Sequence, residues 1–290
     1  MNDQAGKCPI PGLDSFFDNT HQITVLTGAG LSAASGIPTF RGAEGYWTIR
    51  SKVYVPQEMA TLAMFHKHPL EVWEWYLYRL GVCLAANPNP GHLALARMEA
   101  SLGDRFKLIT QNIDNLHLRA GNSPDRTYQI HGNINYTRCS RPCENELRKL
   151  PAELLRQRTM GDLEPAELRL LHCKACGAWL RPHVLWFDES YDEHFFRFES
   201  SIAVANRTDL LIIAGTSGAT TLPNHLAAIV HRRGKPILDI NPDENPFTEL
   251  ARTSRGGAWL QGTAETILPA LTVEYCRSIS GGHPTKQSIC

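Results

Sequence analysis

An α/β fold, built as a Rossmann-like parallel sheet with helices on both faces, follows from three observations on this 290-residue sequence. Short β-branched apolar runs alternate with helix-length stretches, the pattern of βαβ units. The first run opens directly into a glycine turn. Polar clusters that could carry chemistry follow other runs, and ligand crevices of such sheets lie outside the carboxyl ends of their strands.

The first expected strand is His21 to Thr27 (HQITVLT), ending in Gly28-Ala29-Gly30, with a helix starting just after the turn. Further strands are expected at Phe106 to Thr110, Thr127 to Ile130, Asp209 to Ala214 and Pro236 to Ile240. Helices are expected at Leu70 to Ala85, Gly91 to Ser101 and Leu222 to Arg233. Two stretches break the rhythm. Residues 42–86, rich in aromatics and helix formers, read as a helical cap over the site. Residues 138–183, charged and cysteine-bearing, read as a small inserted zinc-binding module. The Rossmann-like domain then comprises residues 17–137 and 184–272, and 273–290 reads as a flexible tail.

Composition narrows the function. Lys plus Arg equals Asp plus Glu at 29 each, so no global basic field would condense on nucleic acid or an anionic membrane. No run reaches the roughly eighteen apolar residues of a membrane span. The N-terminal MNDQAGKCPIPGLDSFF lacks a basic segment followed by an apolar one, so a cytoplasmic location is the default expectation. Of eight cysteines, four are paired at short spacing, Cys139 with Cys143 and Cys173 with Cys176. In a reducing compartment such pairing favours metal over disulfide.

Gly28-x-Gly30-x-x-Ala33 after a strand matches a dinucleotide fingerprint, though a tight turn alone would explain it equally well. The longer string GAGLSAASGIPTFRG, Gly28 to Gly42, is far more specific and closely resembles the signature of sirtuins. TQNIDNLH (Thr110 to His117), IHGN (Ile130 to Asn133) and GTS (Gly215 to Ser217) follow in the family's order. The resemblance runs from about Phe17 to Leu271. A dehydrogenase is disfavoured, because no acidic residue ends a second strand about twenty residues after the turn, where a ribose hydroxyl would be held.

The resemblance implies NAD as co-substrate and acyl-lysine proteins or peptides as partners. It places Gly28, Ala29, Phe40 and Arg41 on the NAD pocket, with Gln111, Asn112 and Asp114 around the ribose and nicotinamide. Gly215, Thr216, Ser217, Asn241 and Ala264 fall on the adenosine half. The implied reaction lets the acyl-lysine carbonyl oxygen displace nicotinamide, after which a base activates a ribose hydroxyl. His131 holds the base's position, with Asn112 as the second catalytic residue, and an imidazole can take such a proton at neutral pH. The products are free lysine and O-acyl-ADP-ribose. A monomer is favoured.

The four thiolates of Cys139, Cys143, Cys173 and Cys176 suit one tetrahedral structural zinc with no open catalytic position. The first pair has three intervening residues where the family has two, and four buried or redox cysteines are the competing reading. Within HKHPLEVWEWYLYRL, Tyr76-x-x-Arg79 resembles the motif of the desuccinylase and demalonylase branch, and Ala60 matches the small residue that widens its acyl pocket. A cation and a phenol in an apolar tunnel are costly unless an anionic group satisfies them. HVLWFDE, His183 to Glu189, lies near the segment that pairs with extended substrate, giving Val184, Phe187 and Glu189 as peptide contacts. Asp188 replaces the family's glycine there, and GTSGATTLP departs from the hydrophobic residues usual after GTS. The expected function is removal of succinyl or malonyl, and also acetyl, groups from lysine. Mainly deacetylation, ADP-ribosyl transfer, NAD hydrolysis and a non-catalytic NAD-responsive module remain as alternatives.

Overall fold

The computed structural model describes residues 21–39, 56–141, 143, 146–159 and 161–280. Phe40 and Arg41 lie outside these residues, as does the start of the expected cap. Nine strands occur among the described residues: β1 Ile23–Thr27, β2 Phe106–Thr110, β3 Thr127–Gln129, β4 Gly132–Cys139, β5 Arg148–Lys149, β6 Leu180–Val184, β7 Leu210–Ala214, β8 Ile237–Asn241 and β9 Ala258–Gln261. Six form one parallel sheet in the order β3-β2-β1-β7-β8-β9, and the other three form an antiparallel sheet, β5-β4-β6.

The central strands are buried from end to end, which is why apolar residues dominate them, with Thr24, Thr27, Asp239 and Asn241 as buried polar exceptions. Their side chains still alternate between two cores. Ile23, Val25, Leu210 and Ile212 face the helices Pro90–Leu102 and Ala264–Ser280, packing on Leu95, Met98, Leu268 and Leu271. Leu26, Leu211 and Ile213 face the opposite way, onto Val204, Leu226 and Phe247. The sheet is thus covered on both faces. Strand order reverses between β1 and β7, so their carboxyl ends diverge and leave a crevice between the loops that follow.

A third core joins the expected cap and zinc module into one body. Trp73, Tyr76, Leu77 and Leu80 of the helix Pro69–Ala85 pack with Ile134, Leu154, Leu171, Cys173, Leu180 and Trp186. The Trp73 indole N–H donates to the Leu180 carbonyl at 2.8 Å. The small sheet begins at Gly132, six residues before the expected boundary, because β4 and β6 must pair to carry the cysteines.

Three local expectations differ. The helix after the glycine turn starts at Ala29 and lasts only to Ala33. β9 passed unnoticed, since AWLQ is short and only partly buried. The last helix continues from Ala264 to Ser280, past the Val273 where a tail was expected, and accommodates Pro269 in its interior. Among the described residues, no helix is long and apolar enough to cross a membrane.

Candidate active site

The two glycine loops at the crevice are built against each other. Gly28 N–H donates to the Ala214 carbonyl at 3.1 Å and Gly30 N–H to the Gly215 carbonyl at 2.8 Å. A Cβ on Gly28 would come within 2.6 Å of Thr216 Cβ. Gly215 has φ +62°, and a Cβ there would sit 2.3 Å from the Leu31 nitrogen. Glycine is required here for loop-on-loop contact. The Gly30 amide is consequently committed to Gly215 and does not point into the crevice.

Behind these loops lies a polar trio. Asn112 Nδ2 donates to the Gly28 carbonyl and to Ser32 Oγ, both at 3.0 Å, while Ser32 Oγ donates to Asp114 Oδ2 at 2.6 Å. Asp114 Oδ1 accepts the Leu116 N–H at 2.8 Å. Burial pushes the Asp114 carboxyl above its ordinary value, offset by the Ser32 and Leu116 hydrogen bonds. Ser32 was not singled out from the sequence, although it lies in the quoted string. Its role is visible only once the fold sets it against Asn112 and Asp114, 80 and 82 residues away along the chain.

His131 sits between β3 and β4, half-buried, with Nε2 2.9 Å from the Tyr191 hydroxyl. Burial pushes its pKa down to about 4, against a hydrogen bond with the Gln111 backbone that favours the charged ring. The imidazole is therefore neutral across the neutral range and able to accept a proton. The Gln111 side chain donates to Thr216 Oγ1 at 2.8 Å and to the Thr27 carbonyl at 3.3 Å, and accepts from Thr220 Oγ1 at 2.8 Å. Gln111 thus links the loop after β2 to the loop after β7. Neither Tyr191 nor Thr220 was expected from the sequence.

On the far side, Asn241 ends β8. Its amide N–H donates to the buried Asp239 carboxylate, which also accepts from Asn245 at 2.9 Å and Thr248 at 2.7 Å. With its nitrogen held, Asn241 presents an acceptor oxygen. Ala264 begins the last helix, Thr216 is buried and Ser217 is exposed.

The four predicted cysteine sulfurs converge. Their Sγ atoms lie within 4.8 Å of one another, with Cys139–Cys143 at 3.2 Å, Cys139–Cys176 at 3.6 Å and Cys143–Cys173 at 3.7 Å. A tetrahedron with Zn–S bonds near 2.3 Å has sulfur–sulfur edges of about 3.8 Å, so the cluster fits one zinc ion. The extra residue between the first pair does not carry Cys143 out of reach. Backbone N–H groups of Ala175 and Cys176 point at Cys173 and favour its thiolate.

The expected acyl side gathers Ala60, Tyr76, Val184 and Trp186 in one core. Trp186 Nε1–H donates to the Tyr76 hydroxyl at 2.8 Å. The buried Arg79 guanidinium lies 4.7 Å over the Trp75 ring and 5.7 Å from the Tyr76 ring. Phe187 is exposed, and its N–H donates to the Ala60 carbonyl at 3.1 Å. Glu189 is held by the protein's own groups. Its carboxylate accepts both Arg181 Nη groups, at 2.5 and 2.7 Å, and the Trp186 N–H at 3.0 Å. These bonds let the side chain fix the segment that follows β6. Asp188 accepts the Leu62 and Ala63 N–H groups at 2.7 and 3.1 Å, capping the helix Leu62–Lys67.

The Sir2 family model matches residues 28–221. A relative from Leptospira interrogans, named NAD-dependent protein deacylase, is 40% identical over 257 residues, covering 89% of this chain and 94% of its own. The dog protein named NAD-dependent protein deacylase sirtuin-5, mitochondrial, is 38% identical over 265 residues, covering 87% and 81%. Among solved structures, a Sir2 homologue mutant in complex with ADP-ribose superposes with a TM-score of 0.77 at 33% identity over 92% of this chain and 96% of that one. A Sir2 homologue–NAD complex gives 0.76 at 32% identity over 94% and 96%. With the match spanning 28–221 of 290 residues and relatives aligned along most of its length, the chain belongs to the Sir2 family.

Proposed function

We propose that this NAD-dependent protein-lysine deacylase of the Sir2 family prefers acyl groups ending in a carboxylate, such as succinyl and malonyl. The buried pair Tyr76 and Arg79 carries that reading. Because the Tyr76 oxygen already accepts from Trp186, its own hydrogen is left to donate. Burial pushes the Tyr76 pKa up to about 12, so the phenol keeps that hydrogen at neutral pH. Arg79, one helical turn on, would supply the bidentate cation. Ala60 leaves room for the longer acyl chain.

NAD supplies the nicotinamide leaving group and the ribose that receives the acyl group. In this reading Gly28, Ala29, Gly215, Thr216 and Ser217 seat the dinucleotide, with Phe40 and Arg41 also assigned to its pocket. Asn241 and Ala264 hold the adenosine half. Gln111, Asn112 and Asp114 orient the nicotinamide ribose, Asn112 next to the reacting carbon. His131, neutral at pH 7, takes the ribose hydroxyl proton once the acyl oxygen has replaced nicotinamide. Val184 and Phe187 flank a peptide laid along the segment after β6 as an added strand. Cys139, Cys143, Cys173 and Cys176 would hold zinc as a structural ion, remote from the chemistry.

The test is a side-by-side panel of acetyl-, malonyl- and succinyl-lysine peptides with NAD, following free lysine and nicotinamide. Preference for the acidic acyl groups, abolished by Arg79→Met, is expected. Equal or better turnover of acetyl peptide, unchanged by Arg79→Met, would overturn the carboxylate preference.

A further inference from the structure

Asp239 and Asn241 stand two positions apart on β8, so their side chains share one face of the strand. Asp239 is fully buried, and Asn241 closes the strand at its carboxyl end. The Asn241 backbone carbonyl accepts the Trp259 indole N–H at 3.1 Å and the Gly262 N–H at 3.2 Å, which pins the residue to β9 and the turn after it. Its side-chain amide keeps two edges of opposite character, an oxygen that accepts and a nitrogen that donates.

Two of the three hydrogens around the Asp239 carboxylate have directions fixed elsewhere. Asn245 Oδ1 accepts the Phe247 N–H at 2.8 Å, so the Asn245 nitrogen is the atom that faces Asp239 Oδ2, at 2.9 Å. Thr248 Oγ1 accepts the Asn245 backbone N–H at 3.1 Å and spends its own hydrogen on the same Oδ2, at 2.7 Å. Oδ1 is left for Asn241, whose nitrogen donates to it. Burial raises the carboxyl's pKa, and the three donors oppose that by favouring the ionised form. The oxygen edge of Asn241 is thereby turned away from Asp239, and among the described residues no donor meets it. Arg252, the cation of the adjoining helix Pro246–Thr253, is paired with Glu244 at 2.6 Å.

We propose that Asp239 is a positioning residue that makes the adenosine site select a ribose 2′-hydroxyl over a 2′-phosphate, through the orientation of the Asn241 amide. An acceptor oxygen is matched by a hydroxyl, which brings a hydrogen. A phosphate brings acceptor oxygens and about two negative charges at pH 7, and the presented edge of Asn241 has no hydrogen for it. Dinucleotide-binding sheets commonly make this selection with a carboxylate placed on the ribose itself. Here the carboxylate acts from one step behind, by holding an amide. The proposal rests on the reading of Asn241 as a contact of the adenosine half.

Asp239→Asn is nearly isosteric and reverses the orientation. Its amide oxygen must keep the Asn245 and Thr248 hydrogens, so its nitrogen faces Asn241, whose amide turns over and presents N–H groups instead. Nicotinamide release is followed with NAD and with NADP on acetyl- and succinyl-lysine peptides. Wild-type protein is expected to favour NAD by about 100-fold or more in kcat/KM. In Asp239→Asn that preference should shrink at least about tenfold, carried by the NADP KM, with peptide KM and kcat on NAD within about threefold. Asn241→Ala should raise the NAD KM and shrink the preference by itself, and adding Asp239→Asn to it should move the preference less than about threefold further. Folded Asp239→Asn with the wild-type preference, or an equal shift with and without Asn241, overturns the positioning role and leaves the adenosine assignment standing. Asn241→Ala with the NAD KM and preference of wild type overturns both. Calorimetry of ADP-ribose and 2′-phospho-ADP-ribose on the wild-type protein needs no variant to fold, and equal affinities there overturn the selection.

Discussion

The Trp186 indole donates to the Tyr76 phenol at 2.8 Å, joining the segment after β6 to the helix Pro69–Ala85. Through this bond the proposed peptide-binding segment and the proposed acyl pocket are one construction. Phe65, 5.2 Å from Trp186 between ring centroids, packs on the same indole.

Arg79→Met should therefore separate substrates. A hydrogen-bonded charge pair contributes about 1.5–3 kcal/mol, so kcat/KM for succinyl peptide is expected to fall about 10- to 100-fold. The acetyl peptide should change by less than about threefold, since Met preserves the apolar stem. Paired progress curves on the two peptides check this.

Zinc removal should reach the acyl pocket. Cys139 and Cys173 belong to the same core as Trp73, Tyr76 and Trp186, whereas the glycine loops rest on the large sheet. Stripping the metal with a strong chelator is expected to abolish deacylation and collapse the near-ultraviolet tryptophan dichroism. NAD binding, measured by calorimetry, should weaken less. Full activity in protein shown by metal analysis to be zinc-free would contradict the shared core.

Gly215→Ala tests the loop contact. The substituted Cβ would lie 2.3 Å from the Leu31 nitrogen in a left-handed backbone conformation. Destabilisation of more than about 2 kcal/mol in urea, with weakened NAD binding, is expected.

Acid should destabilise the protein earlier than its carboxylates alone would suggest. Burial pushes His92 and His131 down to about 4 and His183 to about 3, and lowers His117 as well, from an ordinary 6.5. Between those values the unfolded chain binds more protons than the folded one. This contribution is complete above pH 6.5 and is lost as pH falls toward 4. Each histidine weighs about 1.4 kcal/mol per pH unit at most. Asp114 and Asp239, raised by burial, act in the opposite sense and blunt the slope. Urea midpoints at about pH 7.5 and about pH 5 should show the net loss.

Much of the fold was legible locally. β2 matches the sequence reading residue for residue, because a strand buried at every position but Lys107 shows as a short run rich in apolar and β-branched residues. The short, half-covered β9 carries no such signature. The cysteine cluster was legible too, since zinc tolerates an extra residue in the loop provided the sulfurs converge. The pairing of Glu189 with Arg181 was not legible, because a carboxylate near a binding segment looks the same in sequence whether it faces solvent or a guanidinium.

By itself the sequence determined the parallel sheet, the glycine-lined crevice, the four thiolates and the family, all features set by periodicity or by contiguous motifs. Only the tertiary structure decided which polar atoms are already spent. Gly30 N–H is committed to Gly215, Glu189 to Arg181 and Asp188 to a helix end, while His131 Nε2 meets Tyr191, 60 residues away along the chain. A hydrogen bond has one direction and a lone pair one occupant, and those assignments exist only once distant segments are packed together.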